Sequence, residues 1–299
     1  MEPTFKVIST GPQVLFQDRG RFGLASQGVA TSGAFDRHSA ARANHAVGNL
    51  ADAPVLEILV GGFEVEVLRP SMMIFTGTQA EVTITSPDGK INLHQTNCVL
   101  DVCPGDRVRL APADLGLRAY LAVRGGLVCE PVLGSASFDV LSGIGPHPVQ
   151  VGDELETGAF LTDPSWWPTI RRLPSLWKPS SPEQLTVILG PRTDWFSSKA
   201  LSAFLHQPYQ LTAQSNRVGI RLEGAIPLER SKTGELQSEG MVRGGIQVPP
   251  SGHPVVFGPD HPTTGGYPVI AVLTQRSCDR IAQLAPGDTV RFRLPRKSL

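Results

Sequence analysis

Residues 55–68 read VLEILVGGFEVEVL, and the fold class turns on this stretch. After the glycine pair, FEVEVL alternates apolar and charged side chains with a period of two, the pattern of a strand with one face in a core and one in water. The VLEIL before it is a short aliphatic run of the kind that forms a buried strand. Working outward, AEVTITSPDGKINL at 80–93, RAYLAVRGG at 118–126 and PVIAVL at 268–273 read as strands in the same way. SPDG at 86–89 separates two alternating runs, and a primed hairpin turn is expected there with Asp88 and Gly89 at positive φ. The 31 glycines and 26 prolines have no period, as in a mainly β chain of many short strands and tight turns.

Helices are expected at only two places, FDRHSAARANHAVGN at 35–49 and DWFSSKALSAFLHQ at 194–207. In the second, Phe196, Ala200 and Phe204 recur every four residues beside Leu201 and Leu205, with Asp194 placed to cap the start. Between the halves, residues 160–185 hold five prolines and three of the four tryptophans, too many prolines for a helix or a central strand. Trp166, Trp167 and Trp177 are expected to pin this connector to the body by packing. Each half runs through a Gly-Pro turn (Gly11, Pro12; Gly190, Pro191), a helix, a Tyr-led strand and a Gly-Asp turn (Gly152, Asp153; Gly287, Asp288). Two β-barrel-like domains follow, at 1–165 and 186–299, with a connector at 166–185, and the parallel order leaves a duplicated unit open.

Charge balances at 27 basic against 27 acidic residues, which removes the basic field of a nucleic-acid or anionic-membrane binder. No run approaches the ~20 apolar residues of a membrane span and no leader pattern opens the chain, so a soluble, cytoplasmic protein is expected. Cys98, Cys103, Cys129 and Cys278 lie far apart, which fits reduced thiols rather than a disulfide framework or a metal knot. No P-loop, GxGxxG, HExxH, GxSxG or Met-Lys-Met biotin-attachment sequence occurs.

Chemistry is sought instead in the weakly charged, Gly-rich loops of SNRVGIRLEG (215–224) and ELQSEGMVRGGIQVPPSGHPVVFGPDHPTTGGYPVIAVL (235–273). Gly244, Gly245, Gly265 and Gly266 allow close backbone approach and an anion-binding nest. Gln247, Thr263, Thr264 and Tyr267 offer neutral partners to a planar amide, lactam or ureido group. Arg217 or Arg243 can hold a carboxylate bidentately, and Glu239 and Asp260 are the acid/base candidates. The same glycines and prolines also make the sharp turns of any barrel, and Arg217 with Asp260 can equally be a buried pair, so both readings stay open. Ser32, Gly33 and Asp36 enter the first helix, either as a cap or as an anion site. His38 and His45, seven apart, share a helix face and cannot chelate one metal, while His253 and His261 sit in loops as possible proton carriers.

SGAFDRHSAARAN with VGN, LEI followed by GG, YLAVRGG, SNRVGIRLEG, SEGMVRGGIQVPPSG and GPDHPTTGGYPVIAV together resemble the biotin-dependent-carboxyltransferase-like family, whose members are called KipA-like, allophanate hydrolase subunit 2-like or the C subunit of 5-oxoprolinase. The matches run from about residue 6 to about residue 294. The resemblance implies two cyclophilin-like β-barrel domains with a few short helices. It implies partnership with a KipI-like B subunit and a lactam-utilization-type A subunit, opening 5-oxo-L-proline to L-glutamate with ATP hydrolysed in the complex. It also places the site around Ser32, Asp36, Arg217, Glu239, Gln247, Asp260, Thr264, Gly265, Gly266 and Tyr267, with Asp260 or Glu239 as proton acceptor and Arg217 as carboxylate clamp. Carboxyl transfer from carboxybiotin to urea or a related amide, and a regulatory role without turnover beside a KipI-like protein, remain alternatives. One departure stands out: LGSASF at 133–138 has Ala136 and Phe138 where the family is expected to carry Arg and Thr.

Overall fold

Apolar side chains at every second position give each strand one face to bury, and the chain does so in two units, described here for residues 2–175, 180–232, 234 and 236–295 of a computed structural model. Trp177, one of the residues expected to pin the connector, lies outside these described residues.

The first unit comprises Met1–Arg21, Asp36–Phe138 and Gly143–Trp177. A six-stranded sheet runs in the order Glu154–Leu155, Phe5–Thr10, Phe63–Val67, Arg107–Leu110, Glu81–Thr85, Ile91–Gln95, and a five-stranded sheet in the order Gln13–Gln17, Val55–Leu59, Arg118–Val123, Ser71–Thr76, Val99–Val102. Phe5, Val65, Val82 and Val108 of one sheet and Leu56, Ile58, Met73, Phe75 and Leu121 of the other form one core. The stretch at 55–68 thus supplies a strand to each sheet, with Gly61 (φ +109°) and Gly62 (φ +76°) making the left-handed crossing between them. A Cβ at Gly61 would lie 2.2 Å from Ala111 O, so only glycine fits.

The hairpin at 80–93 forms, but its turn differs from expectation. Gly89 alone takes positive φ (+82°), and the bonds Gly89 N to Ser86 O and Ser86 N to Lys90 O make a three-residue loop with a bulge. Asp88 instead accepts from Lys90 N at 3.2 Å. The first helix, α1 (Arg37–Ala46), starts where expected. In the Pro/Trp-rich segment, Trp166 packs against Gly48, and Trp167 lies under Arg124 at 5.3 Å while remaining largely exposed.

The second unit comprises Phe22–Phe35, Asp139–Ser142 and Lys178–Leu299, so two short pieces of the first half cluster with the second, unlike the contiguous halves expected. Its centre is a closed seven-stranded barrel, in the order Glu183–Leu189, Val269–Leu273, Gly245–Gln247, Val255–Phe257, Gly219–Gly224, Tyr209–Leu211, Thr289–Arg293. Parallel pairing of the first and last of these closes it. Helix α2 (Ser198–His206) buries Ala200 and Phe204, with Phe204 stacked on Phe292 at 4.7 Å. Its cap is Ser197, which accepts from Ala200 N at 3.1 Å. Asp194 sits in a preceding 3-10 turn and pairs with Lys232, because the chain at Ser197 is extended (ψ 160°) and the helix begins only there. A third helix, α3 (Gln275–Ile281), lies beyond the two expected. Thr274 caps it, and Arg280 ties it to Glu183 on the barrel.

One turn recurs. At Cys103 to Asp106, Gln150 to Asp153 and Ala285 to Asp288, the fourth residue's N–H bonds the first residue's O, and its carboxylate accepts the first residue's N–H at 2.8 Å in all three. The third residue is glycine at φ +86°, +94° and +97° respectively, and a strand follows each time.

Candidate functional site

The candidate residues fall into two groups in the second unit. The first is a buried ionic knot. Asp260 is fully buried and accepts from Arg217 Nε at 2.8 Å and Arg217 Nη2 at 3.0 Å, from Ser32 Oγ at 2.6 Å and from the Val140 amide at 3.0 Å. Arg217 Nη2 also donates to Gly33 O at 2.8 Å. Each carboxylate oxygen thereby takes two donors, which offsets the cost of withdrawing the pair from water. Ser32 takes φ +55° to make this contact and is itself fully buried. The segments 22–35 and 139–142 are held to the barrel unit through this knot. Arg217 and Asp260 thus form a buried pair, one of the two readings open in the sequence.

The second group is more open. The ribbon Glu239–Gly240 pairs with Thr264–Gly265, placing Glu239 opposite Gly265 and Gly240 opposite Thr264. A Cβ at Gly265 would come within 3.2 Å of both Gln247 Nε2 and Met241 Cε, so glycine lets this ribbon lie directly on the Gln247 amide. Gln247 Nε2 reaches Tyr267 O at 3.5 Å, and the half-exposed Tyr267 ring lies under the Arg230 guanidinium at 5.4 Å. Arg230 is oriented by its bond to Val248 O at 2.8 Å. Glu239 is paired on both oxygens with Arg192, whose Nε is 3.0 Å from Oε2. That hydrogen-bonded pair holds the Glu239 carboxyl below its ordinary range and raises the Arg192 guanidinium. Glu239, Gln247, Thr264, Gly265 and Tyr267 thus share one neighbourhood with two cations that the local sequence does not single out. Arg192 is 47 residues from Glu239 along the chain, in a loop whose local pattern marks no site.

The remaining candidates are otherwise engaged. The amides of Gly244 and Gly245 bond Phe257 O and Val242 O, so they form no nest. Arg243 bridges Phe35 O at 2.6 Å and Asp279 at 3.0 Å. Gly266 adjoins the carbonyl of Leu236, which lies 3.5 Å from the position of an added Cβ. His261 is buried with Nδ1 2.8 Å from Pro262 O, and burial pushes its pKa down. Asp36 belongs to the first unit, where it caps α1 by accepting from Ser39 N at 2.9 Å and Ser39 Oγ at 2.6 Å. His38 and His45 are exposed on that helix. In LGSASF, Ala136 is buried and its amide donates to Asp18 Oδ2 at 2.7 Å, beside the Ser135 and Ser137 hydroxyls on the same carboxylate. Among the described residues no group of three or more His, Cys, Asp and Glu side chains is arranged to hold a metal ion, and no helix is long and apolar enough to cross a membrane.

The family model described as carboxyltransferase domain, subdomain A and B, matches residues 27–294. The chain belongs to this carboxyltransferase family. Among curated relatives, the C subunit of Escherichia coli 5-oxoprolinase is 36% identical over 96% of this chain and 90% of its own length. That of Haemophilus influenzae is 29% identical over 96% of this chain and 89% of its own. Urea amidolyase of Lachancea kluyveri is 28% identical, with the match covering 96% of this chain but 17% of the relative. Among solved structures, TTHA0988 superposes with a TM-score of 0.83 at 33% identity, covering 97% of this chain and 56% of that one. The Kluyveromyces lactis urea amidolyase superposes with a TM-score of 0.85 at 25% identity, over 98% of this chain and 19% of that one. In family terms, the open cluster around Glu239 lies in the carboxyltransferase domain's second unit, and that unit includes residues from the matched region's first part, 27–35.

Proposed function

We propose that the chain acts as the C subunit of an ATP-dependent 5-oxoprolinase, opening 5-oxo-L-proline to L-glutamate with A- and B-type subunits in the cytoplasm. The observation that carries this reading is the match to a 5-oxoprolinase C subunit along 90% of that relative's length, against 17% for a urea amidolyase. A five-membered lactam resists hydrolysis, and opening it requires a site that holds the planar amide and stabilises charge as it develops. In our reading, Gln247, Thr264 and Tyr267 bond the lactam amide. Arg230 takes the ring carboxylate, which the buried Arg217 does not reach. Glu239, kept ionised by Arg192, accepts a hydrogen bond from the attacking group. The Arg217–Asp260 pair positions the loop that ends in Thr264 and Tyr267. ATP enters as co-substrate of the assembled enzyme, and this chain carries no Walker-type phosphate loop.

Reconstitution with both partner subunits tests the reading. The mixture is expected to hydrolyse ATP only when 5-oxoproline is present and to release glutamate, while this chain alone turns over neither. Gln247→Ala should lower that rate at least tenfold, about 1.4 kcal/mol of barrier. No lactam turnover with all three chains present sinks the proposal.

The carboxyltransferase description of the family and its urea amidolyase relatives favour one second reading, carboxyl transfer to urea or a related amide from biotin carried on another protein. Capture of a biotin carboxylase and a biotin carrier in place of A- and B-type subunits would decide for it.

A further inference from the structure

The barrel strand Gly219–Gly224 turns Ile220 and Leu222 inward and Arg221 and Glu223 outward. Between that outer face and the loops at 212–214 and 249–254 lies an open-sided cavity of about 460 Å³, lined by Thr212, Gln214, Arg221, Glu223, Ser251 and His253 among others. Its size falls within the ~300–1,000 Å³ of small-molecule sites. None of these residues belongs to the cluster around Glu239.

Two observations distinguish this cavity. Arg221 and Glu223 present opposite charges from the same strand face, at backbone positions ~6.6 Å apart by the rise of two residues. Neither charged group makes an ion pair or hydrogen bond among the described residues. Next to them, Thr212 Oγ1 and His253 Nδ1 are withdrawn from solvent and have no hydrogen-bond partner. Buried polar atoms in native proteins are nearly always partnered, so two orphans on residues that line one cavity call for a physical reason.

We propose that this cavity is a second binding site, for a small zwitterion of the α-amino-acid class. The ligand carboxylate lies on Arg221 and its ammonium on Glu223. A purely anionic ligand would face Glu223 and a purely cationic one Arg221, each meeting like charge, whereas a zwitterion answers both. Rotation of Thr212 about χ1 and of the His253 ring brings the two orphaned atoms to the cavity wall, where a polar side chain of the ligand completes them. Gln214 and Ser251 add neutral partners.

The test uses the full chain without partner subunits, so that it is independent of lactam turnover. L-glutamine and L-serine are titrated calorimetrically and by the ring resonances of His253, with succinate and putrescine as single-sign controls. The expected result is binding of at least one amino acid with a shift at His253, at least tenfold weaker in Arg221→Met and in Glu223→Gln, and absent for both controls. Both substitutions are at exposed positions, and an unchanged melting temperature confirms that each variant is folded. Thr212→Val should weaken L-serine binding while leaving the fold intact. The proposal is overturned if neither amino acid moves His253, if succinate or putrescine binds equally well, or if binding survives both charge substitutions.

Discussion

At the scale of single residues, the buried knot and the open cluster call for opposite experiments. Replacing Asp260 with alanine leaves Arg217 as a buried, uncompensated cation, and removing one partner of such a pair costs about 3–5 kcal/mol. Chemical denaturation of Asp260→Ala should show that loss, while Arg217→Met/Asp260→Leu together should cost less than the sum of the single changes. Arg192→Gln tests the pair on the open side. Arg192 holds the folded pKa of Glu239 below its unfolded value, so the pair's stabilising effect is present above that unfolded value and is lost as pH falls through the folded one. In Arg192→Gln the Glu239 carboxyl should titrate at a higher pH by NMR, and an unchanged titration would remove Arg192 from the site. The sequence offered Glu239, Gln247, Thr264 and Tyr267 through one unusual run of glycine and neutral polar residues. It offered no hint of Arg192 or Arg230, because pairings between segments far apart in the chain, Glu183–Leu189 with Val269–Leu273 and Phe196 with Arg230, bring them there.

Elements were legible wherever periodicity was long enough to speak. The alternation in FEVEVL and AEVTIT gave strands directly, and the repeat of Ala200 and Phe204 gave α2. Helix α3 escaped because QRSCDRI is seven residues with only Cys278 and Ile281 as apolar residues to bury, too short an apolar repeat to read. Ion pairs of Arg280 with Glu183 and of Asp279 with Arg243 help to hold it. The first of these pairs has a measurable consequence. Burial pushes the Glu183 carboxyl up, but hydrogen bonds from Arg280 and Ser180 outweigh it, and the pKa is lowered overall. Its contribution is therefore complete above the ordinary glutamate pKa and fades as pH falls through the folded value. Arg280→Ala should destabilise the protein by about 2 kcal/mol at neutral pH, the scale of a charge-assisted hydrogen bond, and the deficit should shrink on acidification. The recurrent glycine turn makes a parallel case. Gly287→Ala forces a Cβ into positive φ, and a drop in stability of about 1 kcal/mol is expected in thermal melts.

At the scale of the whole molecule, the second unit is built from three separated pieces of chain, and the contiguous halves read from the sequence do not capture it. The Pro/Trp-rich stretch looks like a boundary because its local chemistry forbids regular structure, yet no local pattern announces that 22–35 and 139–142 cluster with the barrel. A fragment beginning at residue 180 should therefore fail to fold, or melt far below the intact chain, since Asp260 would lose both Ser32 and the Val140 amide. Circular dichroism of that fragment decides the point. The same arrangement bears on how the protein is made: Ser32 emerges from the ribosome 228 residues ahead of Asp260. At a synthesis speed of about 5–20 residues per second, residues 22–35 wait some ~10–45 s for the partner that completes them. Through that interval the nascent chain carries an unfinished piece of the barrel unit, and the barrel can be sealed only once Thr289–Arg293 has been made.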